Sequence, residues 1–134
     1  MKLALCQTPV SASLAENQTM MKHYVNQAAK SGAQLVCLPE MWACPYDNSA
    51  FPKYAEPEGG ETWRCLRDAA RENHVWLVGG SVPERDGERL YNTCYVFSPE
   101  GSRRQSTAKC ICSISTSLAA SASWSRTRSR PASP

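Results

Sequence analysis

The stretch Gln34–Glu40, Gln-Leu-Val-Cys-Leu-Pro-Glu, constrains the fold most. Four apolar residues in a row, closed by a breaker, read as a short strand buried on both faces. Pro39 has no N–H to give to a sheet ladder, so the strand must end there. Glu40 then falls at the carboxyl end of a strand, where α/β sheets bind their ligands. An isolated Leu-Pro-Glu reads equally well as a surface glutamate, since charged residues are mostly exposed. The neighbouring sequence bears on that choice.

Upstream, Lys2–Gln7 carries Leu3, Ala4, Leu5 and Cys6 and is closed by Pro9, which predicts a first strand. Ser13 and Glu16 have capping-box spacing. Leu14, Met21, Val25, Ala28 and Ala29 follow at helical spacing, and Gly32 suits the position just past a helix end. Strand, helix and strand two (Gln34–Leu38) make a βαβ unit, which implies a parallel pair with a right-handed crossover.

Met41–Gly60 holds Pro45, Pro52, Pro57, Gly59 and Gly60 among Trp42, Tyr46, Phe51 and Tyr54. It reads as a long ordered loop, and such loops usually carry function. Its aromatics, Trp42 and Tyr46 first, either line a pocket or cover the end of the sheet. Glu61–Asn73 is a second amphipathic helix, with Glu61 favourable at its positive end. Val75–Ser81 is strand three. Asp86-Gly87 is a hairpin-turn pair. Leu90–Ser98 is strand four, with Tyr91, Thr93, Tyr95 and Phe97 alternating against Asn92 and Cys94. Arg103–Lys109 is strand five.

With 134 residues the chain has room for one domain and a real core. The net charge of +3 is matched by Arg126, Arg128 and Arg130 alone, so the body is neutral and offers no nucleic-acid groove. Cys110–Pro134 is rich in Ser, Ala and Arg and has no acidic residue, and its large apolar residues Ile111, Ile114, Leu118 and Trp124 keep no period. That composition predicts a disordered segment whose basic end is solvated or, as an alternative, contacts an acidic partner. Seven scattered cysteines, an odd number, point to reduced thiols and a cytoplasmic setting. No run is long enough to span a membrane. Cys37 and Cys44 are too far apart for a close metal knuckle, and Cys110 and Cys112 lack a second pair, so no metal and no cofactor is expected.

The ordered set Leu-Val-Cys-Leu-Pro-Glu40, aromatic loop, Val-Gly-Gly-Ser-Val-Pro-Glu, Leu90-Tyr91-Asn92-Thr93 and Lys109 resembles the carbon–nitrogen hydrolases of the nitrilase superfamily. Cys44-Pro45-Tyr46 and Phe51-Pro52-Lys53-Tyr54-Ala55-Glu56 are similar to its omega-amidase branch. The resemblance covers Met1 to Lys109. It implies an α/β fold, the N-terminal portion of a four-layer αββα sandwich, with one sheet face left open. It implies a homodimer and a small-molecule amide substrate.

The family works by a Glu–Lys–Cys triad. On the matching motifs, Glu40 is the general base and Lys109 stabilises the oxyanion. Read from the residues alone, Lys109 is a strand-end surface lysine. The family nucleophile lies several elements after the lysine, on its own strand-to-helix elbow, and no such segment occurs here. Cys110 and Cys112 have none of its flanking residues, so neither is assigned that role. One codon choice for Cys110–Ala119, read one base earlier, encodes Met-His-Leu-Phe-Asp-Ile-Asp-Ile-Pro-Gly, the kind of string with which the family continues. The resemblance therefore implies a partial hydrolase domain over 1–109 and an out-of-frame segment over 110–134. The expected activity is amide hydrolysis, absent from this truncated chain. The alternative is a non-catalytic fragment that pairs with a full-length relative or is degraded.

Overall fold

The computed structural model describes residues 1–111 and 127–131, with Lys109, Cys110 and the last strand placed by their backbone. In chain order the elements are β1 (Leu3–Leu5), α1 (Leu14–Lys30), β2 (Leu35–Cys37), α2 (Phe51–Tyr54), α3 (Glu61–Asn73), β3 (Trp76–Val78), β4 (Val82–Asp86), β5 (Arg89–Phe97), β6 (Arg103–Cys110) and β7 (Thr127–Pro131). They form one mixed sheet in the order β1-β2-β3-β5-β6-β7, with β4 beside the other half of the β3 edge of β5.

The βαβ expectation holds. β1 and β2 are adjacent and parallel, with Leu3 opposite Leu35 and Leu5 opposite Cys37. β2 pairs with β3 in parallel, and β5 runs antiparallel to β3. Ser13 caps α1 by accepting the Glu16 N–H at 3.3 Å. The box is not reciprocal, because the Glu16 carboxylate takes its bond from the Ser11 hydroxyl instead. Gly32, at φ +89°, occupies the left-handed position just past the helix.

α3 matches the sequence reading residue for residue. Its cap comes from elsewhere. Gly60 has no side chain to offer, and the Glu56 carboxylate accepts the N–H groups of Glu61 and Thr62, each at 3.1 Å. A negative group at the N-terminus also meets the positive end of the helix dipole.

Both long helices lie on one sheet face. Met21 and Val25 of α1 and Cys65, Leu66, Ala69 and Ala70 of α3 pack with Val36, Leu77, Tyr95 and Phe97 in one apolar cluster. Trp63 meets Phe97 edge to face, with centroids 5.2 Å apart. The alternation read in β5 is observed: Tyr91, Thr93, Tyr95 and Phe97 are buried, and Asn92, Cys94 and Val96 stand half-buried on the other face. That second face holds Leu3, Leu35 and Trp76 across one row and Leu5, Cys37, Val78 and Val96 across the next. Leu5 is 74% exposed there and Leu3 52%.

Two features depart from the sequence reading, and the C-terminal segment adds a third observation. The loop 41–60 contains α2, a single turn started by Pro52, whose fixed φ suits a first helical turn. Val82–Asp86 is a strand although it contains Pro83. It pairs along its length with β5, its other side makes a single bridge, Glu84 opposite Glu56, and a strand so nearly at the edge tolerates a missing N–H. Within 110–134, β6 runs through Cys110, the Ile111 N–H donates to Leu90 O at 2.8 Å, and 127–131 pairs antiparallel with β6. Cys112, Ile114, Leu118 and Trp124 lie outside the described residues.

Candidate functional site

Three strand ends converge on Glu40. β2 stops at Cys37, and Leu38 makes one further bond, from its N–H to Val78 O at 3.0 Å. Pro39 then turns the chain out. Its carbonyl accepts the Ser81 N–H at 3.4 Å, so the exits of β2 and β3 are laced together. The glycine pair after β3 makes that approach sterically feasible. Gly80 is left-handed at φ +60°, and Gly79 O accepts the Trp42 indole N–H at 2.9 Å.

Met41, next to Glu40, has φ +52°. A non-glycine residue in that region is strained and persists only when its surroundings hold it. Two contacts hold Met41: its N–H donates to Ser81 Oγ at 3.2 Å, and its side chain is buried with Cys44 and Phe51. The backbone on both sides of Glu40 is therefore fixed, by a proline before it and a clamped left-handed residue after it.

The carboxylate itself meets β5. Asn92 Nδ2 donates to Glu40 Oε1 at 2.7 Å, a short bond of the kind made to a charged acceptor. Asn92 is in register opposite Lys109 on β6. Opposed residues of an antiparallel pair belong to the same face, so Glu40, Asn92 and the Lys109 position meet on one side of the sheet. Leu38, Glu40, Val78, Gly80, Ser81, Asn92, Cys94 and Thr107 line an open depression of about 410 Å³. Its walls are mixed; of its polar side chains, Asn92 reaches Glu40 and Ser81 reaches the neighbouring Met41 N–H.

The other expected residues are placed as follows. Trp42 is 1% exposed and belongs to the core between the sheet and the helices. Tyr46 is 72% exposed and stacks edge to face on Phe51. Neither lines the depression. Of the two thiols beside Lys109, Cys110 continues β6 opposite Tyr91, and Cys112 lies outside the described residues. The thiol that does line the depression is Cys94, and burial followed by the nearby Cys37 raises its pKa above the ordinary thiol value. Asn92, Cys94 and Ser81 had no role in the sequence reading. The period-two pattern of β5 was the available signal for the first two, since even positions face away from the helices. Among the described residues no group of three His, Cys, Asp or Glu side chains could hold a metal, and no helix is long and apolar enough to cross a membrane.

The α/β sheet with helices on one face agrees with the fold of the solved structures that this chain resembles. Residues 2–116 match the carbon–nitrogen hydrolase family, and the chain belongs to it. Within that family it is similar to the omega-amidases: it is 46% identical to omega-amidase NIT2 of Mus musculus over 101 residues, which is 75% of this chain and 37% of the mouse protein. Nitrilase homolog 2 of Dictyostelium discoideum is 48% identical over 86 residues, 63% of this chain and 26% of that protein. The chain thus spans about a third of the length of these relatives. Saccharomyces cerevisiae Nit3, a member of branch 10 of the nitrilase superfamily, superposes with a TM-score of 0.70 at 27% identity, covering 75% of this chain and 40% of its own. An amidase from Nesterenkonia sp. superposes at 0.66 with 25% identity, over 81% of this chain and 42% of its own.

Proposed function

We propose that this chain carries the base-and-cation half of an amide-hydrolysing site, and that its 134 residues do not complete the reaction on their own. The observation that carries the reading is the Asn92–Glu40 bond, which fixes a carboxylate on the face and at the level of Lys109. In the complete reaction Glu40 removes the proton of a cysteine thiol. The sulfur attacks the carbonyl carbon of a carboxamide, and the ammonium of Lys109 stabilises the negative oxygen that forms. Ammonia leaves with the transferred proton, a thioester remains, and water attacks it with Glu40 again as base, releasing a carboxylic acid. The substrate class is the side-chain amide of a small dicarboxylic acid derivative, supported by the similarity to omega-amidases. The setting is a cytoplasmic homodimer without metal or cofactor.

The nucleophile is the missing part. Cys94 is in the depression, but its raised pKa works against thiolate formation. The test is ammonia release from a small carboxamide. The 134-residue chain gives none above background. A chimera joining residues 1–109 to the corresponding remainder of mouse omega-amidase NIT2 turns over, and Glu40→Gln in the chimera lowers kcat by at least about 10²-fold, the scale of a lost general base. Turnover by the unaltered chain, stopped by Cys110→Ser or Cys112→Ser, overturns the reading and makes that thiol the nucleophile.

A second reading, a non-catalytic chain that pairs with a longer relative, is favoured by one observation: the apolar sheet face with Leu3, Leu5 and Trp76 exposed. Co-purification of the tagged chain with a full-length omega-amidase tests it.

A further inference from the structure

The geometry points to Ser81 as the positioning residue for Glu40, because it bonds to both peptide units that flank Glu40. The inference deepens the proposed function and rests on its assignment of Glu40 as the base. The Ser81 N–H donates to Pro39 O at 3.4 Å, and Ser81 Oγ accepts the Met41 N–H at 3.2 Å. Each peptide unit is planar. Pro39 O lies in the plane that precedes Glu40, and the Met41 N–H lies in the plane that follows it. Turning the first plane changes φ of Glu40, and turning the second changes ψ. One residue just after β3 therefore holds the two angles that aim the Glu40 side chain off the end of β2.

Glu40 needs such a hold. It is an exposed residue, and its carboxylate accepts from Asn92 Nδ2. A bond at the tip of a glutamate fixes the carboxylate only where the backbone is fixed too, because several rotatable χ angles lie between them. The hydroxyl of Ser81 also works against strain. Met41 has φ +52°, a region that a non-glycine residue keeps only when its surroundings impose it. Its side chain is buried with Cys44 and Phe51, and its N–H is buried against Ser81 Oγ. Without the hydroxyl, that N–H becomes a buried donor with its acceptor removed, which is unfavourable. Rotation of the plane between Glu40 and Met41 relieves the lost bond and the left-handed strain together. The same rotation turns Glu40 away from Asn92. A short side chain with a strong acceptor prevents it. Alanine has no acceptor, and cysteine has a similar shape with only a weak one.

The experiment uses the whole 134-residue chain and reads Glu40 through the Asn92 side chain by NMR, with no turnover required. The Asn92 side-chain amide is assigned from the signals lost in Asn92→Asp. In the unaltered chain, NOEs connect the Met41 N–H to the Ser81 Hβ protons and the Asn92 amide protons to the Glu40 Hγ protons. The NOE between the N–H and Hα of Met41 has the strength of left-handed backbone. Ser81→Ala and Ser81→Cys each move the Asn92 amide proton that faces Glu40 upfield, with loss of its NOE to Glu40. Ser81→Thr, which keeps the acceptor, retains both signals. A serine that only filled space would give the opposite grouping, with cysteine matching serine and alanine standing apart. Two results overturn the proposal: no NOE between Met41 and Ser81 in the unaltered chain, or an Asn92 amide signal unmoved by Ser81→Ala in a variant whose α1 and α3 amide signals are unchanged. If Ser81→Ala fails to fold, Ser81→Cys and the NOEs of the unaltered chain decide. The general-base reading fails on a different result, a chimera whose kcat is unchanged by Glu40→Gln, and that result involves neither bond of Ser81.

Discussion

Gly80 lies so close to Pro39 that a β-carbon built on it would stand 2.0 Å from the Pro39 carbonyl oxygen. The backbone carbonyl cannot move aside, because Pro39 is laced to Ser81 and flanks the clamped Met41. Gly80 is also left-handed, at φ +60°. Gly80→Ala therefore meets overlap and backbone strain together, and is expected to lose roughly 2–4 kcal/mol, combining a left-handed penalty with overpacking. Urea unfolding checks this, with Gly87→Ala as the control: it shares the positive φ but has open space around the added carbon. The two variants separate the steric part from the conformational part.

The same crossing explains what could and could not be read before the fold was known. The helices and the strands with strong periodicity, α1, α3 and β5, were legible because each buries one face and the pattern repeats. β4 was not, because Pro83 and Glu84 argue locally against a strand, and pairing along its length with β5, with one bridge to Glu56 on its other side, overrides that. α2 is too short to show a period. Glu40 was legible from Leu-Pro-Glu, whereas its partner was only one of the residues alternating along β5. Which residue of β5 reaches Glu40 depends on register between strands 52 residues apart, and no local pattern encodes that. Trp42 shows the limit from the other side. An aromatic beside a site residue suits a pocket or a core equally, and only the indole bond to Gly79 O decides for the core.

The open sheet face makes a second prediction. Leu3, Leu5 and Trp76 are exposed on the face opposite the helices, and β1 is the sheet edge beside them. Exposed apolar patches and unpaired edges drive association. Leu5→Lys should reduce self-association of the chain in sedimentation velocity and lower its binding of ANS. Because Leu5 is 74% exposed, stability should change within about ±0.5 kcal/mol, as for surface substitutions generally. Met21→Lys, fully buried on the helix side, should instead unfold the chain.

Alkaline pH should destabilise the fold through Tyr95. Its hydroxyl donates to Glu84 Oε2 at 2.6 Å, and burial, followed by that bond and the negative charges of Glu84 and Glu58, raises the phenol well above its ordinary value. In the unfolded chain the phenol ionises near pH 10, while the folded chain keeps the proton. The folded state then binds more protons than the unfolded state. Stability from this group is complete below about pH 10 and falls above it, with a slope of about 1.4 kcal/mol per pH unit. The thiols of Cys44 and Cys65, each pushed up to about 11 by burial, act in the same direction from about pH 9 upward, because an unfolded thiol ionises first. Tyr95→Phe should flatten the fall above pH 10 and leave the thiol contribution. Urea midpoints measured from pH 7 to 11 under reducing conditions report both. A Tyr95→Phe profile as steep as the unaltered one above pH 10 would remove Tyr95 as the cause.

Cys94 gives the last test, because it is the one described thiol lining the depression that holds Glu40. Position alone would suggest a nucleophile. Two observations oppose it. The thiol is desolvated, with its pKa raised above the ordinary value, and it is directed to its neighbour's carbonyl oxygen rather than to Glu40. The thiolate is the reactive form, so alkylation of Cys94 by iodoacetamide at pH 7.5 should be slower than that of free cysteine. The rate should keep rising with pH beyond the point where free cysteine levels off. After incubation with a small carboxamide, intact-mass measurement should show no acyl adduct. Cys94→Ser in the active chimera should leave kcat within about threefold of the parent, whereas loss of a true nucleophile costs many powers of ten, about 10⁶-fold in the subtilisin case. Fast alkylation together with an acyl adduct on Cys94 would instead make this strand position the nucleophile, and Glu40 would then serve a thiol 54 residues downstream on the same open face.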